Sequence, residues 1–362
     1  MVTRVLIMAG GTGGHVFPAL AVADVLRSQG VEVSWIGTQS GLESRVVTKA
    51  GIPIEWVTVT GLRGKGAGAW LWAPFRLFKA VAQALRIMWH YKPTVVLGMG
   101  GFVAGPGGLA AKLLRVPLVI HEQNAIAGLT NRLLAPFATK VLEGFAGTFQ
   151  TKHNVTTVGN PVRMAITQLP PPQQRFATRQ GPLKLLIVGG SLGAQVLNEV
   201  VPQALMIFTP QARPAIWHQT GSRMAEETAA VYRDKGIVAR VEPFIEDMAA
   251  AYGWADLVIC RAGALTVAEL AAAGVAAVLI PFPYAVDDHQ THNAMFLMAH
   301  GAATLLPQRE LTAARLYKLL NECGCATQER SHVFKMANAA RELSSPHAAT
   351  EVARLCLEAA HV

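Results

Sequence analysis

One pattern occurs twice in this chain of 362 residues, at its start and near its middle. An apolar run at residues 5–9 leads into the glycine-rich segment Gly10–Gly14, and a second run at 185–188 leads into Gly189–Gly193. A helical pattern follows each segment. A buried strand that turns into a helix through glycines is typical of the start of a doubly wound parallel sheet. The repeat therefore predicts two such sheets, which suits a chain too long for one ordinary core.

Further short apolar runs, separated by helical patterns, predict more buried strands in each half. The predicted strands are residues 31–36, 95–97 and 118–120 in the first half and residues 215–218, 257–260 and 277–280 in the second. This alternation predicts an α/β fold with two Rossmann-like domains that face a central cleft.

The domain junction is predicted near residue 162, where the segment Gly159–Arg163 precedes three consecutive prolines. The predicted domains are residues 1–162 and 163–345. They are followed by a C-terminal helix at 346–362, which is a candidate for packing back on the first domain.

Composition limits the functional classes. Apolar residues make up 51% of the chain and charged residues 15%, which excludes a disordered chain. The formal net charge of +9 favours anionic partners, without choosing among phosphates, nucleic acid and an anionic membrane. The four cysteines lack zinc-site spacing and are interpreted as reduced thiols. The sequence has neither a signal-peptide pattern nor a stretch apolar enough to cross a membrane, so we expect a cytoplasmic location.

The glycine segments are candidate phosphate sites, because a strand that enters a helix through glycines brings bare backbone N–H groups to the helix N-terminus. A third turn of this kind, Gly98–Gly101, follows the strand at 95–97. Tight turning alone is the alternative explanation. A nicotinamide site is not favoured, since Val16 stands where the last glycine is required and no acidic residue ends the second strand at Gly37-Thr38. A Gly-Lys-Ser/Thr phosphate loop is missing as well.

A polar constellation follows the predicted strand at 257–260. Gly263 precedes a predicted helix at 266–273, and the N–H groups at its start are candidates for binding phosphate. Glu269 is a candidate for accepting hydrogen bonds from a ribose diol. Its alternative role is a capping box with Thr266, three residues earlier. Two aspartates and two histidines lie further on, within 287–292, but their pattern does not favour a metal site.

Six motifs carry a resemblance that covers essentially the whole chain. They are Gly10-Gly-Thr-Gly-Gly-His15, Gly98-Met-Gly-Gly101, His121-Glu-Gln-Asn124, Gly159-Asn-Pro-Val-Arg163, Gly189-Gly-Ser191 and Gly263-Ala-Leu-Thr-Val-Ala-Glu269. In this order they resemble the MurG family, the UDP-N-acetylglucosamine transferases of peptidoglycan precursor synthesis. The resemblance implies a GT-B fold and an inverting transfer of N-acetylglucosamine from its UDP donor. The acceptor would be lipid I, undecaprenyl-diphosphate-linked N-acetylmuramoyl-pentapeptide, and the product would be lipid II.

The resemblance also implies partners and a location. No metal and no cofactor beyond the UDP-sugar co-substrate would be required. The protein would lie at the cytoplasmic face of the inner membrane as a peripheral protein, with anionic lipid and other cell-wall synthesis proteins as partners and without nucleic acid. Two alternatives stay open: a UDP-N-acetylglucosamine 2-epimerase of the same fold, and a non-enzymatic binder of nucleotide sugar or nucleic acid.

Carried over position by position, the resemblance implies a set of substrate contacts. The implied donor-binding residues are Thr12, Gly13, Gly14, Asn124, Arg163, Ser191, Ile245, Ala264, Leu265, Thr266, Val267, Ala268, Glu269 and Gln290, with Asp288 as a less certain contact. The acceptor diphosphate would be held by Gly14, Gly100 and Gly101. Leu192 departs from the family, in which glutamine is common at this position, so a side-chain contact from this position is in doubt.

Inversion requires a base for the acceptor hydroxyl and stabilisation of the departing UDP. His15 directly follows the first glycine turn and is the predicted base, because histidine is the side chain that most often fills this role. Its alternative role is a hydrogen bond to phosphate or backbone, and Glu122 is a second candidate for the base. Arg163 and a helix N-terminus would stabilise the leaving group in place of a metal.

An aromatic, apolar and basic segment begins near residue 69 and suits contact with anionic lipid. The predicted membrane patch consists of Trp70, Trp72, Arg76, Lys79 and Arg86. A neighbouring helical face is predicted to be buried, and it consists of Leu71, Phe75, Phe78, Ala82, Leu85 and Trp89. The alternative is an ordinary amphipathic helix whose basic face is solvated.

Overall fold

The structure, a computed structural model, describes residues 3–59, 73–149, 155–190 and 193–361. The chain divides into two compact units. The first consists of Met1–Arg163 together with Ser345–Val362, and the second consists of Met164–Ser344. Each unit is built around one parallel β-sheet with helices packed against it.

The described residues form seven strands in the first unit and six in the second. The strands of the first unit are β1 Arg4–Met8, β2 Glu32–Gly37, β3 Ile54–Trp56, β4 Val95–Gly98, β5 Leu118–Glu122, β6 Lys140–Glu143 and β7 Val155–Thr157. Those of the second unit are β8 Lys184–Val188, β9 Ala215–Gln219, β10 Ala239–Glu242, β11 Leu257–Cys260, β12 Ala276–Leu279 and β13 Ala303–Leu305.

Helices connect most of these strands. In chain order they are α1 Gly13–Ser28, α2 Glu43–Lys49, α3 Ala73–Tyr91, α4 Ala104–Leu114, α5 Leu129–Leu134, α6 Met164–Thr167, α7 Pro172–Ala177, α8 Gln195–Ile207, α9 Ala225–Asp234, α10 Met248–Trp254, α11 Ala264–Ala273, α12 His289–Met298, α13 Ala313–Glu322, α14 Ser331–Glu342 and α15 Ala348–Ala359. The last helix, α15, packs against α1 and so belongs to the first unit.

Strand β1 explains why the opening residues are continuously apolar. Val5 and Ile7 pack in one cluster with residues of α1 and α15, whereas Leu6 and Met8 pack on the other face with residues of α3 and α4. Side chains alternate between the two faces of a strand, so a central strand that is covered on both faces must be apolar throughout. Helix α1 ends at Ser28, two residues before a glycine: Gly30 has φ +77°, and its N–H donates to the Arg27 carbonyl.

The two sheets share one topology. The strand order is β3-β2-β1-β4-β5-β6-β7 in the first sheet and β10-β9-β8-β11-β12-β13 in the second, and every pairing is parallel. The chain reverses its direction of winding between β1 and β4, and again between β8 and β11. Ligands of doubly wound folds bind beyond the carboxyl ends of the strands at such a point. The glycine turns follow these four strands.

The predicted α/β fold is confirmed, and each strand that the sequence predicts is observed within two residues of its predicted bounds. Strands β3, β6, β7, β10 and β13 were not predicted. The prediction of a buried face on α3 is wrong for Phe75, Phe78 and Trp89, whose side chains are 63%, 72% and 71% exposed. Ala82 is exposed as well. Helix α3 instead buries a stripe that consists of Ala80, Val81, Ala84 and Met88. Its two phenylalanines and Trp89 are left at the surface. Leu71 lies outside the described residues.

None of the helices in the described ranges is long and apolar enough to span a bilayer.

Candidate active site

The first glycine turn lies between β1 and the N-terminus of α1. Gly11 has φ +91°, a conformation that side chains disfavour, and Thr12 is the N-terminal cap of the helix. Helix α1 then begins at Gly13, so the N–H groups of Gly13 and Gly14 lie at its N-terminus, while the His15 N–H donates to the Thr12 carbonyl at 3.1 Å. The turn therefore presents backbone donors and the positive end of the helix dipole, as an anion site requires.

Glu43 holds this turn from behind, and the sequence pattern did not point to it. Its side chain is buried and accepts hydrogen bonds from the backbone N–H of Gly11 at 3.0 Å and of Thr38 at 2.8 Å. A third bond, at 2.6 Å, comes from the Thr38 hydroxyl. A Cβ at Gly10 would lie 2.8 Å from Glu43 Oε1, and one at Gly37 would lie 2.7 Å from Glu43 Cγ. These glycines leave room for the carboxylate, which is the signal that could have identified it.

The third glycine turn, after β4, packs directly against the first. The Met99 N–H donates to the Met8 carbonyl at 2.9 Å, and a Cβ at Gly101 would overlap the Gly10 carbonyl oxygen. Gly100 and Gly101 have φ +90° and +80°, so both positions require glycine. A Cβ at Gly100 would also lie 2.8 Å from His15 Nδ1. The first turn, His15 and the predicted acceptor residues thus lie together at the edge of the first sheet.

His15 is half-buried in the first turn of α1, and its Nδ1 atom lies 2.9 Å from Gln123 Oε1.

Glu122, the second candidate for the base, is 2% exposed. Its carboxylate accepts hydrogen bonds from the N–H and Nδ2 of Asn124, each at 3.0 Å, and further bonds from Gly128 and Asn131. A buried carboxylate whose oxygens are already engaged in this way is poorly placed to take a proton. Its visible role is to orient the Asn124 side chain.

Arg163 is the last residue of the segment Gly159–Arg163, where the sequence predicts the junction between the two domains. Its guanidinium carbon lies 5.1 Å from the centroid of the Phe17 ring, which belongs to α1. A cation over an aromatic face at this distance is a favourable contact. The structure therefore brings Arg163 close to the helix that follows the first glycine turn.

The second unit repeats the arrangement at β8 and β11. Gly190 and Gly193 of the turn after β8 have φ +83° and +77°. Ser191 and Leu192 lie outside the described residues. After β11, helix α11 begins at Ala264 with Gly263 as its N-terminal cap, so the backbone N–H groups of residues 264–266 lie at a helix N-terminus.

Glu269 lies in the second turn of helix α11. The capping-box role for this residue is wrong, because α11 begins two residues earlier than predicted and Glu269 is not in its first turn. Its side chain is buried and accepts a hydrogen bond from the Tyr252 hydroxyl at 3.1 Å. Tyr252 was not recognised from the sequence. Ile245 is buried in the loop that joins β10 to α10.

A cavity of about 520 Å³ lies beside the turn after β8. Its lining includes Gly189, Gly193, Arg261, Phe282 and Gln290. Gln290 Oε1 accepts a hydrogen bond from the Phe282 N–H at 2.9 Å. Arg261 donates to the Ile280 and Pro281 carbonyls, and its partial burial lowers the pKa of its guanidinium.

The described ranges contain no cluster of three or more His, Cys, Asp or Glu side chains that could hold a metal ion. Within the polar segment at 287–292, the Thr291 hydroxyl donates a hydrogen bond to the Asp288 carboxylate at 2.7 Å. All four cysteines are buried, and burial raises the pKa of the Cys260 thiol to about 12. A thiol of this kind is unreactive.

The basic members of the predicted membrane patch lie on α3. Arg76, Lys79 and Arg86 are exposed, as are the aromatic side chains of Phe75 and Phe78 on the same helix. Helix α4, which packs against α3, adds exposed apolar side chains such as Leu113. Trp70 and Trp72 lie outside the described residues.

Comparisons with known proteins agree over both units. Residues 5–143 match the glycosyltransferase family 28 N-terminal domain, and residues 184–352 match the glycosyltransferase family 28 C-terminal domain. A relative from Nitrosococcus oceani is 58% identical over 99% of both chains and is named UDP-N-acetylglucosamine--N-acetylmuramyl-(pentapeptide) pyrophosphoryl-undecaprenol N-acetylglucosamine transferase.

Solved structures give the same result. Acinetobacter baumannii MurG is 44% identical, covers 98% of this chain and 99% of its own, and superimposes with a TM-score of 0.82. A UDP-N-acetylglucosamine 2-epimerase superimposes with a TM-score of 0.64 at 12% identity, a likeness that extends to the fold alone.

Proposed function

This chain belongs to glycosyltransferase family 28, and from that premise we propose that it transfers N-acetylglucosamine from UDP-N-acetylglucosamine to lipid I, giving lipid II for peptidoglycan synthesis. The observation that carries the proposal is the similarity to relatives named for this reaction, which are 58% and 56% identical over 99% of this chain. The resemblance to the MurG family and the GT-B fold are confirmed. The epimerase alternative has only a shared fold in its support.

The second unit is proposed to bind the donor. Glu269 supports this assignment, because its buried carboxylate already accepts a hydrogen bond from the Tyr252 hydroxyl. A carboxylate in this position is suited to accept further hydrogen bonds from the ribose diol. The N–H groups at the start of α11, Ser191 and Arg163 would bind the diphosphate. Ile245 would offer its backbone to the uracil, and Gln290 would contact the sugar hydroxyls.

The first unit is proposed to bind the acceptor and supply the base. Backbone N–H groups at Gly14, Gly100 and Gly101 would hold the acceptor diphosphate, and Asn124 would approach the sugar. His15 would take the proton of the acceptor hydroxyl while that oxygen attacks the anomeric carbon and the bond to UDP breaks with inversion. Charge on the departing UDP would be met by Arg163 and a helix N-terminus, without a required metal.

Transfer is tested with labelled UDP-N-acetylglucosamine and a lipid I analogue. Label should appear in the lipid, and the rate should persist when EDTA is present. Release of free N-acetylmannosamine without lipid labelling would instead indicate an epimerase and overturn the proposal.

The role of His15 is tested by His15→Ala. Loss of a general base should lower kcat by about 100-fold or more, while affinity for UDP is retained. The matched control is His300→Ala, which removes an exposed histidine just after α12 in the other unit. A His15→Ala protein with near-normal turnover would contradict the assignment.

We further propose that the exposed face of α3 places the protein on the anionic, cytoplasmic face of the inner membrane, as a peripheral protein. Neutralising Arg76, Lys79 and Arg86 should weaken binding to phosphatidylglycerol vesicles by roughly 100-fold, since each cation adds to the electrostatic attraction. Sedimentation with vesicles measures this binding.

A matched control removes three exposed cations of the same unit that lie on other helices: Arg27, Arg45 and Lys49. Equal loss of vesicle binding in both triple variants would assign the effect to net charge and refute the α3 patch. Association with other cell-wall synthesis proteins stays a proposal that pull-down with the separate proteins can test.

A further inference from the structure

A chain of hydrogen bonds extends behind His15, away from the glycine turns. His15 Nδ1 lies 2.9 Å from Gln123 Oε1. Gln123 Nε2 lies 3.1 Å from His121 Nδ1 and 3.2 Å from the His121 backbone carbonyl oxygen. His121 Nε2 lies 2.9 Å from the Gly159 carbonyl oxygen. Gln123 and His121 are both buried, so these bonds are shielded from water.

The orientation of the Gln123 amide follows from the atom it faces. A backbone carbonyl oxygen can only accept a hydrogen bond, so the side chain must turn its NH2 group toward the His121 carbonyl. The opposite orientation would set two carbonyl oxygens against each other in a buried place. Gln123 Oε1 must therefore point to His15, and an amide oxygen also only accepts.

The far end of the chain agrees with this assignment. The Gly159 carbonyl requires a proton on His121 Nε2, which leaves His121 Nδ1 as the acceptor for the Gln123 NH2 group. His121 must then be neutral. Complete burial is expected to favour the neutral ring, and it lowers the pKa of His121 to about 4. With this single arrangement of protons, every donor in the series of hydrogen bonds from His15 to Gly159 faces an acceptor.

We propose that Gln123 is a positioning residue that holds His15 in the tautomer with the proton on Nδ1, so that Nε2 carries the lone pair that accepts the proton of the acceptor hydroxyl. The hydrogen bond that one ring nitrogen makes decides which nitrogen is free to act as a base. This inference rests on the proposed function. In the step, the acceptor O–H proton moves to His15 Nε2, a bond forms from that oxygen to the anomeric carbon, and the electron pair of the breaking bond leaves with UDP.

Two neighbouring features keep this arrangement in place. Asn160 Nδ2 donates to the Gln123 backbone carbonyl at 2.9 Å, which fixes the main chain beside the amide. Gly100 has no side chain, and a Cβ there would lie 2.8 Å from His15 Nδ1 and 3.5 Å from Gln123 Oε1. Four separate sequence motifs thus meet around a single imidazole.

The tautomer can be measured without substrate. Protein with ¹⁵N-labelled histidine rings is recorded in long-range ¹H–¹⁵N spectra at mildly alkaline pH, where free histidine is neutral. The spectrum of His15→Gln identifies the His15 signals. In the wild type, Nδ1 should show the shift of a protonated nitrogen and Nε2 that of an unprotonated one. The reverse pattern would overturn the proposal.

Two substitutions separate positioning from packing. Gln123→Met keeps most of the volume but offers no acceptor, so His15 should redistribute toward the Nε2–H tautomer and kcat should fall about tenfold, with KM for the donor within twofold. Gln123→Glu retains an oxygen facing Nδ1 and should keep the proton on Nδ1, whereas its second oxygen faces the His121 carbonyl and should lower the stability of the protein. Ser34→Ala, which removes one buried hydrogen bond to Pro53 in the same unit, controls for lost stability.

An unchanged His15 tautomer in Gln123→Met would refute the inference, as would a loss of kcat that Ser34→Ala reproduces. Wild-type protein that transfers no sugar would overturn the proposed function alone. The spectrum would still decide the tautomer, so the two failures are distinguishable.

Discussion

Glu43→Gln is the substitution that most directly tests how the first glycine turn is held. The two carboxylate oxygens of Glu43 accept from the Gly11 N–H on one side and from the N–H and hydroxyl of Thr38 on the other. A glutamine has one oxygen, so its NH2 group must face one of these two sets of donors. A partly buried backbone N–H that faces another donor is unpaired, which costs about 1 kcal/mol of folding free energy, the lower end of the range for a buried group.

The effect on transfer follows from the same geometry. Gly11 belongs to the turn that precedes His15, and without Glu43 no side chain within the turn replaces the lost restraint, because four of its five residues are glycine. A misplacement of about 1 Å in a reacting group can cost about 100-fold in rate. We therefore expect kcat/KM to fall between about tenfold and 100-fold in Glu43→Gln.

Initial-rate kinetics and amide hydrogen exchange at Gly11 measure the two effects separately. The matched control is Thr38→Val, which removes the hydroxyl bond to Glu43 but keeps the backbone bonds of Thr38 and Gly11. Its kcat/KM should stay within about threefold of the wild type. The reasoning fails if Glu43→Gln leaves both Gly11 protection and kcat/KM unchanged, or if Thr38→Val has an equal effect.

Three further predictions concern single residues. Gly100→Ala should lower kcat about tenfold or more without changing UDP affinity, because φ is +90° and the new Cβ would meet the His15 ring; initial rates and calorimetry check this. Glu269→Gln should weaken UDP binding about tenfold by calorimetry, while the exposed Glu226→Gln should not. Burial lowers the pKa of His218 to about 3, so only the unfolded state gains a proton below about 6.5 and stability should fall as the pH drops. The wild type should lose about 2 kcal/mol more than His218→Gln between pH of about 7 and about 5 in denaturant unfolding.

The fold could be predicted because its signals are local. Continuous apolar runs such as Leu257–Cys260 can be satisfied only in a strand covered on both faces, and a following glycine marks the turn into a helix. The buried face of α3 could not be predicted in this way. Its sequence offers one apolar stripe with Phe75, Phe78 and Trp89 and another with Ala80, Ala84 and Met88. The choice between them depends on the surface of α4, which the periodicity of α3 does not contain.

The candidate site could be derived from the sequence where local backbone forms it, and not where side chains act across the chain. The glycine turns could be recognised from their own sequence. Glu43 and Gln123 could not, because each acts on a residue far away in sequence: Gln123 and His15 are separated by 108 positions. Nothing in the segment His121–Asn124 says which side chain faces the first turn until β5 is placed beside β4.

The Glu43 carboxylate lies behind a turn that we propose binds a diphosphate, so two effects of Glu43→Gln oppose each other. Removal of a carboxylate should favour a nearby anion, whereas release of Gly11 should disorder the N–H groups that bind it. The second effect should dominate, because three donors already point at the carboxylate and offset its field. KM for the acceptor should therefore rise. A lower acceptor KM with unchanged kcat would mean that electrostatic repulsion, and not positioning, controls the turn.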